Sequence, residues 1–347
     1  MREDVLYVPI LQTKRGEYSA LSELADKVKD RIKPMLVLTQ DKYEERSKGL
    51  ATQLKKKWDR PIYIDLNRVD PFTINNVSSS YFVFEGLKTE GIEFTPVVDV
   101  DNQRPDIINY VRGKNISSCI RVNVDTFNAA TLANLSILLP HLAEFGNSVD
   151  LLIDFSCDLK RTRQAHAHDI EQLFSQIYSS GLGQNFSKVI IAGSSIPKDL
   201  PRTEYNPFGF EPRIDWLGFL DFMTAHQANI KHPVFADYST SHPEEAEPMP
   251  YVNPNAKIRY TISDNYMFAV GYQVNTHGFD QYFNMSAIVI NSPYFLGGNF
   301  SAGDKYLEDC ANQKVSCGNM ETWVKVGHNH HITFVVKQIA NLYGISI

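Results

Sequence analysis

Eight short runs of apolar and β-branched residues along this chain are separated by seven longer segments whose apolar residues recur every three or four positions. Residues 5–11, 35–38, 61–66, 94–98, 119–124, 149–155, 188–192 and 233–238 are the strand candidates. Between them, residues 18–32, 43–58, 81–87, 104–112, 131–145, 164–178 and 216–226 carry the helical period, as Leu21, Leu24 and Val28 or Leu50, Leu54 and Trp58 illustrate. Connections of this length join parallel strands, and near-continuous apolar strands are what a sheet covered on both faces requires. Eight such units are the number that closes an α/β (β/α)8 TIM-like barrel. An open, doubly wound sheet is the alternative, since a strand count does not by itself establish closure.

The regularity breaks after the eighth strand. A Pro- and Glu-rich loop occupies 239–255, and the segments 257–263 and 266–273, separated by Asp264 and Asn265, read as a β-hairpin. The expectation is one barrel domain over 1–347, with residues 239–300 inserted over its mouth. From Ile332 the apolar positions Val335, Val336, Ile339 and Leu342 give a final amphipathic helix with Asn329 as N-cap, which places His330 and His331 in its first turn.

The 34 basic and 40 acidic residues give a net charge of −6, which argues against a protein that coats nucleic acid. The Lys55-Lys56-Lys57 triplet reads as a solvated helix face. Cys119, Cys157, Cys310 and Cys317 form no CxxC pair and read as free thiols of a reducing compartment. Without an apolar run long enough to span a bilayer, or the apolar core of a signal peptide behind Met1, the chain is expected to be cytoplasmic and not membrane-bound.

Barrels place their chemistry at the C-terminal ends of the strands. Asp65, Asp99, Asp154 and Asp237 end strands three, four, six and eight, and the two-residue period of strand five puts Arg121 and Asn123 on one face. Buried charges of this kind must be paired, hydrated or used. Two readings stand side by side. In one, an Arg–Asp network plugs the upper layer. In the other, Asp65, Asp154 or Asp237 acts as general base or Mg2+ ligand, with Arg121 and His330 completing the candidate catalytic set. Strand seven runs into Gly193, Ser194 and Ser195, where barrels often hold phosphate together with a helix N-terminus. Lys14 after strand one, Arg259 in the hairpin and His331 join these as candidate ligand-binding residues. His328 and His331 could share a helix face toward a metal, although neither His-x-x-x-His nor Glu-x-x-His spacing is present and the identity of any metal stays open. Walker, GxSxG and GxGxxG motifs are absent.

Taken together, Tyr7-Val8-Pro9-Ile10-Leu11, Lys14-Arg15-Gly16-Glu17-Tyr18, Asp237-Tyr238, Gly303-Asp304-Lys305-Tyr306, Thr322-Trp323 and the run Gly327 to Val336 resemble the beta protein family over essentially the whole chain. The resemblance implies a bacteriophage or prophage connection and a role in phage–host conflict. It brings no catalytic residue with it. Strand two ends in Thr39-Gln40, where relatives tend to carry a glutamate, so the resemblance implies no acid/base carboxylate at that corner. The leading expectation is a barrel that binds a small anionic, phosphate-bearing ligand and could hydrolyse it. The second is a non-catalytic interaction component whose protein partner belongs to a phage-defence or counter-defence system.

Overall fold

The computed structural model describes residues 5–40, 43–157, 159, 162–200, 207–226, 233–244 and 253–347, with the backbone alone at residue 46. The first four residues and part of the Pro- and Glu-rich loop, 245–252, lie outside the described residues. Eight parallel strands form a closed barrel: β1 (Tyr7–Gln12), β2 (Met35–Val37), β3 (Ile62–Asp65), β4 (Phe94–Asp99), β5 (Ser118–Asn123), β6 (Val149–Asp154), β7 (Val189–Gly193) and β8 (Val234–Asp237). Every strand pairs with its sequence neighbour, and β1 closes the ring by pairing with β8 at Tyr7↔Phe235, Val8↔Ala236 and Pro9↔Asp237. The open-sheet alternative is thereby ruled out.

Alternation along each strand sorts its side chains. Val8, Ile10, Met35, Val37, Tyr63, Val97, Cys119, Leu152, Ile190 and Ala236 fill the barrel interior, while their sequence neighbours pack outward on the helices in the largest apolar cluster. The expected helices are present, with one interruption: the 18–32 segment divides into Arg15–Ser22 and Asp26–Lys29.

The region after β8 is richer than a hairpin. Strands Asn255–Thr261 and Asn265–Gln273 pair antiparallel as expected, and Gly209–Pro212, from the connection between β7 and β8, adds a third strand. Helices Gln281–Ile290 and Ala302–Ala311 cover this sheet, and a second apolar core forms around Tyr260, Met267, Tyr282, Leu307 and Trp323.

The final helix overturns one expectation. It runs over Met320–Leu342 and is capped by Asn319 in a capping box with Thr322, so Asn329 is a fully buried interior residue nine positions past the first turn's start. Asn329 Nδ2 donates to Ala20 O and its Oδ1 accepts from Gly303 N. Gly303 permits this approach, because a Cβ there would sit 2.5 Å from the Val326 carbonyl oxygen. The helix N-terminus therefore lies at Asn319, and His330 and His331 face no first-turn N–H groups.

Candidate functional site

The upper ends of the strands carry three groupings of polar side chains. The first fills the barrel axis. Asp65, Asp154 and Arg121 share the inward parity of Tyr63, Leu152 and Cys119, and all are buried. Arg121 Nη1 donates to Asp65 Oδ2, and Nη2 donates to Asp154 Oδ2 and, at 2.7 Å, to the Tyr238 hydroxyl. That hydroxyl donates to Asp154 Oδ2 at 2.6 Å, and burial, the largest influence on it, keeps it from ionising in any ordinary pH range. Asn67 covers the remaining Asp65 oxygen with N and Nδ2, and Ser156 N covers Asp154 Oδ1 at 2.8 Å. Asp99 accepts from Asn123 Nδ2 and from the N–H groups of Asp101 and Asn102. Arg68 spans from the Tyr238 hydroxyl to the Pro243 carbonyl, and a cavity of about 10 Å3 lies against it among the described residues. Each carboxylate oxygen here has a donor and the positive charge is supplied by Arg121. A Mg2+ ion would have to displace that guanidinium, so these donors do not fit the ion. Gln40 accepts from Asp70 N at 3.0 Å.

The second grouping lies between the barrel wall and the final helix. Asp237 sits between the inward residues Ala236 and Tyr238, so it points outward, away from Asp65 and Asp154. It accepts from the Tyr7 hydroxyl, from Ser239 N at 2.8 Å and from His331 Nε2 at 3.0 Å. His331 Nδ1 lies 2.7 Å from Thr261 Oγ1, which ties the barrel to the three-stranded sheet. Burial alone would raise the Asp237 carboxyl, but His331 and these donors hold it below the ordinary value. Asp215 goes the other way: burial, reinforced by the Asp237 charge, raises it. Its partners are Ser195 Oγ at 2.7 Å and the Tyr266 hydroxyl at 3.0 Å. Ser195 therefore turns toward the 214–225 helix. Ser194 Oγ accepts from Ile196 N, and a Cβ on Gly193 would meet Leu159 at 3.0 Å, so this loop is filled by protein. Arg213, wholly buried, reaches Gln338 and the Ser263 carbonyl and lies near the rings of Trp216, Tyr266 and Phe334.

His330, a candidate catalytic residue by sequence, is remote from the barrel axis. It stacks on Tyr260 at 3.7 Å between ring centroids, bonds Asp304 through Nδ1 at 2.8 Å and meets the Thr261 carbonyl through Nε2. His330 and His331 thus support two different cores. Among the described residues no group of three or more His, Cys, Asp or Glu side chains is arranged to hold a metal ion.

The third grouping is at the lip of the mouth. Arg259 projects from the first hairpin strand, its Nε is buried, and its side chain makes no hydrogen bond or ion pair among the described residues. Burial lowers the pKa of its guanidinium. Gly327 brings the final helix against it: a Cβ there would lie 3.6 Å from Arg259 Cβ and 3.3 Å from Thr240 Oγ1. One residue on, His328 bonds Ser239 Oγ at 2.8 Å and lies 3.7 Å from Glu17 Oε1. Burial, followed by the charge of Arg259 and, more weakly, that of Lys14, depresses the His328 imidazole to about 3. The hydroxyls of Thr13 and Thr240 are buried without partners among the described residues. Lys14 and Arg259, chosen from sequence, thus converge electrostatically on His328. The third member, His328, was considered only for a metal, and its burial on a helix interior gave no sequence signal.

The model of one family, described as Beta protein, matches residues 7–337. This chain belongs to the Beta protein family. No curated protein sequence matches it. Among solved structures, the biosynthetic arginine decarboxylase SpeA of Campylobacter jejuni is 10% identical with a TM-score of 0.38, over 98% of this chain and 56% of the decarboxylase. A mutant β-hexosaminidase of Streptomyces plicatus in complex with its product GlcNAc is 13% identical with a TM-score of 0.27, over 55% of this chain and 48% of that enzyme. The Beta protein chain therefore spans about half the length of either structure. Similarity this low carries no argument about its activity. No described helix of the Beta protein is long and apolar enough to cross a membrane.

Proposed function

We propose that this Beta protein binds a small oxyanion, the phosphate group of a soluble ligand, at the lip of the barrel mouth between Arg259, Lys14 and His328. The observation that carries this reading is Arg259, a half-buried guanidinium whose Nε is buried and which meets no anion among the described residues. A bound phosphate would meet it through charge-assisted hydrogen bonds. Lys14 adds a second, exposed positive charge, and the Thr13 and Thr240 hydroxyls supply donors. The reading stops at binding. Asp65 and Asp154 have their oxygens occupied around Arg121, and Asp237 is held between Tyr7 and His331, so none is placed to activate water. Four free thiols suit the cytoplasm as its location.

Titration calorimetry with inorganic phosphate and with a nucleoside triphosphate tests the site. Arg259→Gln is expected to weaken binding at least tenfold, and Lys14→Met to weaken it less, with melting temperatures close to the parent's. Equal affinity in parent and Arg259→Gln would remove the reading.

A second reading rests on a different observation. The barrel axis is plugged, while Phe210, Tyr294 and Leu296 on the added sheet and its following loop are exposed, Phe210 and Tyr294 meeting edge to face at 5.5 Å between centroids. This apolar patch suits a protein partner, in keeping with the phage–host role that membership in the family suggests. Plaque formation on cells expressing the parent or Phe210→Ser measures it: identical plaque counts with and without the parent protein would leave the reading without support.

A further inference from the structure

At the opposite end of the barrel, where the strands begin, a cavity of about 320 Å3 opens between the barrel wall and two helices, Ile214–Ala225 and Met320–Leu342. Its wall is apolar, formed mainly by Leu6, Phe219, Val234, Phe235, Ile339 and Ile345. Among the described residues its lining carries one charged side chain, Lys188, which stands just before β7. Lys188 is exposed, and among the described residues its side chain makes no hydrogen bond or ion pair. Its charge reaches the interior: the amine of Lys33, depressed to about 8 chiefly by burial, is pushed further down by Lys188 against the opposing pull of Asp150. Lys33 is already engaged, donating to Thr95 Oγ1 at 2.7 Å and standing 3.8 Å over the Tyr63 ring. Among the described residues at this end, Lys188 is thus the cation left for a ligand.

An apolar chamber of this size with a single charge at its edge matches the usual form of a small-molecule site. We propose that it binds a medium-chain carboxylate, the tail in the cavity and the carboxylate on Lys188. Three features select this class. The volume holds about ten groups the size of a water molecule or methylene, which corresponds to a chain of about eight to ten carbons. The wall offers dispersion contact and removal of apolar surface from water, with no polar side chain among its described residues other than Lys188 and the Tyr343 hydroxyl. One ammonium balances one negative charge, whereas a phosphate monoester would bring a second charge without a counter-ion. The site lies on the face of the barrel away from Arg259, so it stands or falls independently of the oxyanion reading.

The experiment is a calorimetric and NMR titration of the full chain with decanoate below its micelle concentration, alongside decanol, decyltrimethylammonium and acetate. One saturable decanoate site is expected, with decanol at least tenfold weaker and no saturable binding of the other two. Lys188→Glu should weaken decanoate at least tenfold, and Val234→Trp, which fills the cavity from a partly exposed position, should abolish binding. If Val234→Trp does not fold, Ile345→Trp fills the same space from the C-terminal tail. Absence of saturable decanoate binding overturns the proposal. So does decanol binding as tightly as decanoate, or binding unaffected by both Lys188→Glu and the filling substitution.

Discussion

Replacing Arg121 by Met keeps an unbranched stem of similar length and removes the guanidinium that bridges Asp65 and Asp154. Both carboxylates are essentially inaccessible to water, and each would then retain its backbone or amide donors but lose its counter-ion. Breaking a buried pair in this way costs about 3–5 kcal/mol. With an unfolding entropy of roughly 2.1 cal/mol/K per residue, a chain of this length should lose about 5 °C in Tm. The variant's response to pH separates this explanation from a simple packing defect. Two buried carboxylates left without their counter-ion are penalised as anions and relieved by protonation, so the deficit relative to the parent shrinks as pH falls from 7 toward 4. Adding Asp65→Asn and Asp154→Asn to Arg121→Met should recover stability at pH 7, because the amides carry no charge. Urea unfolding of the three proteins at pH 7 and pH 4.5 supplies the numbers. A parent-like midpoint for Arg121→Met, or a deficit independent of pH, would refute the claim that charge balance holds the axis together.

His328 gives a prediction of opposite sign. Its folded pKa of about 3 lies below the ordinary 6.5, so the unfolded chain takes up this proton first and stability falls as pH drops through the window between those values. His328→Gln should flatten the parent's loss between pH 6.5 and pH 5 in urea unfolding, and an unchanged pH profile would show that the imidazole is hydrated. Barrel and added sheet should also unfold as one unit, since Asp237–His331–Thr261 and Asp215–Tyr266 join them through buried hydrogen bonds. Calorimetry resolving two separate transitions would contradict this coupling.

The barrel was legible because its signal is local and repeated: a parallel strand buried on both faces and its following helix each have a period that survives without knowledge of the partner. Arg121 was legible as a pairing residue for a similar reason, since its place within an apolar strand commits it to the interior. Parity also held information that residue type obscured. Asp237, between Ala236 and Tyr238, belongs to the opposite face from the other strand-end aspartates, and counting inward positions along β8 separates it from them. The final helix was misjudged because its upstream half buries polar groups. Gly327, His328, Asn329 and His330 interrupt the apolar period, yet each is inside, satisfied by Ser239, Ala20, Gly303 and Asp304 from distant segments. A buried polar face is defined by its partners, and those lie up to 309 positions away. The strand Gly209–Pro212 was missed for a related reason, being four residues long and paired with a hairpin that comes 53 positions later at its closest register, Pro212↔Asn265.

The separation of Asp237 from His331 by 94 positions sets an order on events during synthesis. When β8 has left the ribosome and could close against β1, the imidazole that will neutralise Asp237 has not been made, and at ordinary elongation rates it follows roughly 5–20 s later. The helix Arg15–Ser22 waits longer still, because the Asn329 amide that caps the Ala20 carbonyl comes from the same late segment. A nascent barrel therefore spends seconds with an outward-facing acid and an uncovered helix, exposed to chaperones and proteases. Ribosome stalling anywhere in that interval would release a chain whose eight strands are all present and whose ring still lacks its final support.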